Sequence, residues 1–226
     1  MGEWLDYSLA DFLLFSPATY WRLFEQLNIA VWPLQILLTG AAALAVFAAV
    51  RGWGRAGLLV GLCLAAFWGL VAQLFFTAYY APINWAIEWA TPLAWAQAAL
   101  LILLAPGLRY GGDRRASWPP RLLVGLAFAY PAFAVAAGRP LAQAEIAGLA
   151  PDPTALLTIG LLWLARPNWR NVVLSVLPLV WITFSAATLL AMDAAEAWAP
   201  VMALGIAAFR AVRALVQRLR DGIRGR

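Results

Sequence analysis

The chain has 226 residues, of which 64% are apolar and 12% charged, with a net charge of +5 and a mean hydropathy of +0.78. Soluble domains carry roughly 45–50% apolar and about 25% charged residues, so one core of this size could not hide so much apolar surface, and lipid is the expected solvent for much of it. Histidine and lysine are absent and Cys63 is the one cysteine, which excludes internal disulfides, His-ligated haem, His/Cys zinc sites, His-based triads and lysine Schiff bases.

Residues 1–28 have no basic leader region and are not expected to be a signal peptide. Ser8 and Ser16-Pro17 read as helix starts, a hydroxyl N-cap followed in the second case by proline at the first helical position. Phe12, Leu13, Phe15, Trp21, Leu23 and Phe24 mix with Asp11, Arg22 and Glu25, which predicts one or two short interfacial helices. Residues 29–216 then hold seven apolar runs read as membrane spans: 29–50, 56–79, 85–105, 120–137, 153–165, 171–192 and 199–216. Prolines and glycines punctuate the loops between them. Residues 217–226 form a basic cytoplasmic tail. The expected fold is all-α, a polytopic bundle of seven transmembrane helices with interfacial helices at the N-terminus.

Orientation follows from the arginines. Fourteen of the sixteen basic residues fall in alternate loops and the tail, together with only Asp113 and Asp221. The other nine acids share the opposite side with Arg22 and Arg139. The positive-inside rule therefore puts the N-terminus outside and the C-terminus in the cytoplasm. It also accounts for a pI near 10 without nucleic acid as a partner. The helix from Arg210 onward is basic and partly amphipathic, and is expected on anionic headgroups or against a cytoplasmic partner. Most of the thirteen tryptophans fall near one or other interface, as an aromatic belt. Trp68, Trp95 and Trp181 lie mid-span and are read as packing residues, with a ligand cage as the other reading.

Polar groups at membrane depth are costly and mark candidate sites. They gather in the outer half, and the candidate polar site comprises Asp152, Thr154, Glu145, Glu88, Asn84 and Gln73. The fifth run is only about 20 Å long at 1.5 Å per residue, too short to cross. Either the bilayer thins there, or the segment 140–150 enters the membrane and Pro151-Asp152-Pro153-Thr154 is a break at depth. Asp152 would then N-cap a helix beginning at Pro153, its carboxylate on the positive end of the helix dipole. Interrupted helices of this kind supply ligand groups in transporters.

Two stretches carry a resemblance. One runs from Asp6 to Phe24 (DYSLADFLLFSPATYWRLF) with Asn28 and Trp32-Pro33; the other is Gly148-Leu-Ala-Pro-Asp-Pro-Thr154 followed by Thr158-Ile-Gly-Leu-Leu162. Together they resemble an uncharacterised family of bacterial multi-pass membrane proteins, domain of unknown function 6064. The resemblance implies a bacterial inner-membrane location and no established activity. The resemblance implies Cys in many members where this chain has Asp152, so no thiol- or metal-based role transfers to this position.

Three functions stay open from the residues. A small-solute or cation transporter or channel would be entered from outside past Glu88, Glu145 and Asp152. A non-catalytic membrane subunit or scaffold would pack against a protein partner or a second copy. An intramembrane carboxylate enzyme would use Glu145 with Asp152, or Asp193 with Glu196. No cofactor and no catalytic or metal-binding residue is expected, and a retinal pigment is excluded because there is no lysine.

Overall fold

A computed structural model describes residues 15–111 and 118–224, and these are helical throughout apart from loops and one isolated bridge between Ala147 and Ala150. The first fourteen residues of the expected interfacial segment, and Arg114 and Arg115, lie outside the described residues.

Helix α1 (Pro17–Ala30) starts as its sequence predicts: Ser16 is the N-cap, its hydroxyl accepts from the Thr19 amide at 3.2 Å, and Pro17 opens the helix. Its buried face includes Tyr20, Phe24 and Leu27. Phe24 stacks on Phe75 at 4.8 Å and Tyr20 meets Tyr80 edge-on at 5.8 Å. A turn at residues 31–33 separates α1 from α2 (Leu34–Arg51), so the first long apolar helix begins at Leu34 rather than at Ile29. Gly52 ends α2 with a left-handed φ of 65°, a conformation glycine takes without a Cβ clash.

Helix α3 (Ala56–Leu70) runs on through a wide, π-type stretch, Val71–Tyr80, in which the Thr77 hydroxyl donates to the carbonyl of Ala72, five residues back. A single 3₁₀ turn (Trp85–Trp89) leads into α4 (Ala90–Leu104). The start of α3 lies against the end of α4 with almost no gap, since a Cβ on Gly57 would come within 2.6 Å of the Ala105 and Leu108 carbonyl oxygens. Small residues permit this close backbone approach between helices.

The fourth run divides into α5 (Trp118–Ala129) and α6 (Pro131–Ala136). Pro131 has no N–H and its ring crowds the preceding turn, so the helix breaks there and leaves Tyr130 at the corner. Helix α7 is Pro151–Leu164, two residues longer at its start than the sequence suggests. It is about 21 Å long at 1.5 Å per residue. Every side chain from Pro151 to Leu162 is buried. Helix α8 (Trp169–Ala191) carries Pro178 inside it, and α9 (Trp198–Arg224) is the longest.

Helices α5 and α7 run antiparallel. The Tyr130 end of α5 meets Asp152 at the start of α7, while Gly160 late in α7 lies 2.7 Å, measured from its absent Cβ, from the Val124 methyl early in α5. Five helical segments are long and apolar enough to cross a membrane: Leu34–Arg51, Ala56–Tyr80, Ile87–Gly107, Trp169–Ala191 and Ala195–Gln217. The remaining two expected spans are the broken α5–α6 and the short α7, paired as the two arms of one hairpin wrapped by α2, α3, α8 and α9. Trp181 and Trp68 are buried between helices; Trp95 rests its ring against Gly69 of α3 but is 48% exposed, so the reading of Trp95 as a buried residue is corrected. Position along an apolar run does not fix burial, because the side of the helix decides how far protein covers a ring.

Candidate functional site

The connection from α6 to α7, residues 137–150, is irregular, and side chains from other elements hold it. Asn28 of α1 donates two hydrogen bonds through Nδ2, to the Ala142 and Ala144 carbonyls, each at 2.8 Å. Gln35 braces Asn28 in turn, donating to its backbone carbonyl at 2.8 Å. Gln143 Nε2 donates to Glu25 Oε2 at 2.9 Å. The Arg139 guanidinium pairs with Glu196, just before α9, and lies 3.6 Å over the Trp21 ring. At the far end the Gly148 amide donates to Thr154 Oγ1 at 2.7 Å, and that hydroxyl donates to the Ala150 carbonyl. Thr154 therefore locks the loop onto the first turn of α7.

Asp152 sits in that first turn and is completely buried. Its carboxylate accepts from three side chains: Tyr130 Oη at 3.0 Å, Trp181 Nε1 at 2.7 Å, and Ser185 Oγ. The expected N-cap role is corrected. Ala150 is the N-cap, without a side-chain bond, and Asp152 is the second helical residue. Pro151 and Pro153 flank it and leave it no continuous ladder of amides to accept from, so the carboxylate turns sideways to α5 and α8. It still lies at the positive end of the α7 dipole.

Glu145 is 3% exposed, and its Oε2 has no hydrogen-bond partner. Burial, with Asp152 beside it, pushes its carboxyl well above the ordinary carboxylate range, while Arg139 pulls the other way. Burial and then the neighbouring Glu145 and Asp152 likewise raise the phenol of Tyr20. Three buried carboxyls, Glu145, Asp152 and Glu196, thus share one neighbourhood with one guanidinium, Arg139. Outside it lies a polar hollow lined by Arg22, Glu25, Gln26, Ile29, Pro140 and Gln143, and Gln143 is two residues from Glu145.

The structure brings Asp152, Thr154 and Glu145 together. Asn84 is buried beside Tyr80 at the end of α3. Gln73 and Glu88 are exposed and do not join the cluster, because each lies on the outward side of its helical turn. Sequence reasoning missed Tyr130, Ser185 and Arg139 as members. Trp181 and Ser185 are four residues apart on α8, hence on one helical face, and that spacing was the available signal. Among the described residues no group of three or more His, Cys, Asp or Glu side chains is arranged to hold a metal ion.

The fold and this buried polar centre define an all-helical protein with helices fit for a membrane and carboxyl groups packed at the core of the bundle. No curated protein and no solved structure matches the chain. The family described as Family of unknown function (DUF6064) matches residues 18–221, and the chain belongs to it.

Proposed function

We propose that this chain is a multi-pass protein of the bacterial inner membrane, a small-solute or cation transporter whose coupling ion is a proton held at Glu145. The observation that carries this is the charge balance of the buried centre: three carboxyls face a single guanidinium, and Glu145 Oε2 has no donor. Burying two uncompensated charges is prohibitive, so the centre takes up a positive charge. Asp152 already has three donors and Glu196 has Arg139, which leaves Glu145 as the proton acceptor. Helix α7 supports the reading, since a half-length helix preceded by irregular backbone is how many transporters build a midplane site. In this arrangement the outer polar residues and Arg139 form the entrance, and Thr154 keeps the broken segment in register with Asp152.

The arginine distribution orients the bundle with the N-terminus outside. The α5–α6 and α7 arms cross as a pair and give seven spans. The test is proton flux in vesicles of purified protein, read with a trapped pH dye under an imposed potential. Protein-dependent flux that falls at least about tenfold in Glu145→Gln, the equivalent of 1.4 kcal/mol in barrier, supports the assignment. Flux unchanged in Glu145→Gln and Asp152→Asn overturns it.

A further inference from the structure

Between α4 and α8 lies an apolar hollow of about 210 Å³, its walls including five aromatic rings: Trp68, Phe76, Trp89, Trp181 and Phe184. No residue that lines it is charged, and none but the two buried indoles and Trp89 carries a side-chain hydrogen-bonding group. The two buried indoles, Trp68 and Trp181, both turn their N–H inward to α7. Trp68 Nε1 donates to Thr158 Oγ1 at 3.0 Å and Trp181 Nε1 to Asp152 Oδ1 at 2.7 Å. Their polar ends are committed, and ring carbon is what remains for the hollow. Phe76 and Phe184 pack against Trp181 at 4.9 and 5.4 Å between centroids, while Trp89, 74% exposed, stands at the rim.

Such a surface discriminates by charge. An anion or a neutral polar molecule finds almost no donor there. A small hydrated metal ion finds no oxygen ligand to replace its water. A cation with an apolar skin finds the exposed rings of Trp89 and Phe184, the latter packed against the nearly buried indole of Trp181. It also finds a carboxylate one indole away, because Asp152 sits behind Trp181. The charge-assisted bond from the indole N–H to that carboxylate pushes electron density into the ring and strengthens its attraction for positive charge.

We propose that this hollow binds lipophilic organic cations of the quaternary ammonium or phosphonium class, with Asp152 as the counter-charge acting through Trp181. This names the substrate class for the transporter reading above and rests on it, in that Asp152 is the ionised member of the buried centre. Entry is lateral, past Trp89 and Phe184, from the apolar phase in which such cations dissolve.

The experiment is equilibrium binding of tetraphenylphosphonium to the detergent-solubilised full-length protein, with tetraphenylborate as an anion of the same size. Saturable phosphonium binding without borate binding is expected. Asp152→Asn keeps the side-chain shape and removes the charge, and should weaken binding at least about tenfold, as should Trp181→Phe, which loses the N–H link. Trp89→Ala is on an exposed rim residue, so the fold should tolerate it even if the buried variants do not fold, and it should weaken binding several-fold. Equal binding of borate and phosphonium would show a hollow that reads only apolarity, such as a lipid-chain groove, and would overturn the proposal. Phosphonium affinity unchanged in Trp89→Ala would overturn it too. Because binding is read without any flux, a failure here leaves the proton reading at Glu145 standing. Binding that survives Glu145→Gln, with proton flux lost, separates the two in the other direction.

Discussion

Asp152 offers the sharpest test of how the centre is held. Replacing it with alanine removes the acceptor of Tyr130 Oη, Trp181 Nε1 and Ser185 Oγ, all of them buried. Each donor left unsatisfied costs about 1–3 kcal/mol. Ser185 can turn back to the carbonyl four residues earlier in α8, so two orphaned donors remain, at about 2–6 kcal/mol together. Asparagine behaves differently. Its carbonyl keeps the Trp181 bond, and the two hydroxyls can accept from its NH₂ group. Both variants remove the buried charge and recover its desolvation cost, so that quantity cancels when they are compared with each other. Asp152→Asn should therefore be more stable than Asp152→Ala by about 2–6 kcal/mol, or about 4–24 °C in unfolding midpoint for a chain of this size. The assay is thermal unfolding of detergent-solubilised protein followed by tryptophan fluorescence. Equal midpoints, or an alanine variant above the asparagine one, would refute the three-donor account. A surface cap alone would give a smaller gap, since asparagine and aspartate cap alike and alanine loses about 0.5–2 kcal/mol.

The raised carboxyl of Glu145 gives a pH signature with a fixed sign: the folded state keeps its proton above the ordinary value of 4.5, so the stability this contributes is full below 4.5 and is lost as pH rises through the folded value. Unfolding midpoints measured from pH 4 to 8 should therefore fall in the wild type relative to Glu145→Gln, and parallel curves would refute the burial of an ionisable group there. Gly57→Ala puts a methyl 2.6 Å from two backbone carbonyl oxygens that cannot yield cheaply, and should destabilise by about 1–3 kcal/mol on the same unfolding assay; Gly40→Ala, which meets nothing within 4 Å, is the matched control. Asn28→Leu frees the Ala142 and Ala144 carbonyls, and amide exchange across residues 139–150 should rise well above that of the neighbouring helices. Orientation is checked with Gln143→Cys in a Cys63→Ala background: an impermeant maleimide added outside should label it, and a reporter fused after Arg226 should be cytoplasmic.

Composition and the spacing of apolar runs were enough for the all-helical class, for most helix positions and for the start of α1 at Ser16-Pro17, because helix length, proline and capping hydroxyls act within a few residues. They were also enough to single out Pro151-Asp152-Pro153-Thr154, since two prolines flanking a carboxylate in an apolar run is a local anomaly. Other features depended on which side of a helix faces the bundle, and only tertiary packing sets that. Gln73 and Glu88 looked equivalent to Asp152 in depth, yet lie on outward faces. Trp95 and Trp181 are both mid-run, yet one is exposed and the other donates to Asp152. The hydrophobic periodicity that reports a helix's inner face is nearly absent in α2, α4 and α7, because each is apolar all round. The partners of Asp152 come from residues 22 to 33 positions away, and the antiparallel pairing of α5 with α7 and the packing of α8 bring them together. The buried centre is thus a property of three helices meeting, visible in the sequence only as a carboxylate in a place that must find donors somewhere.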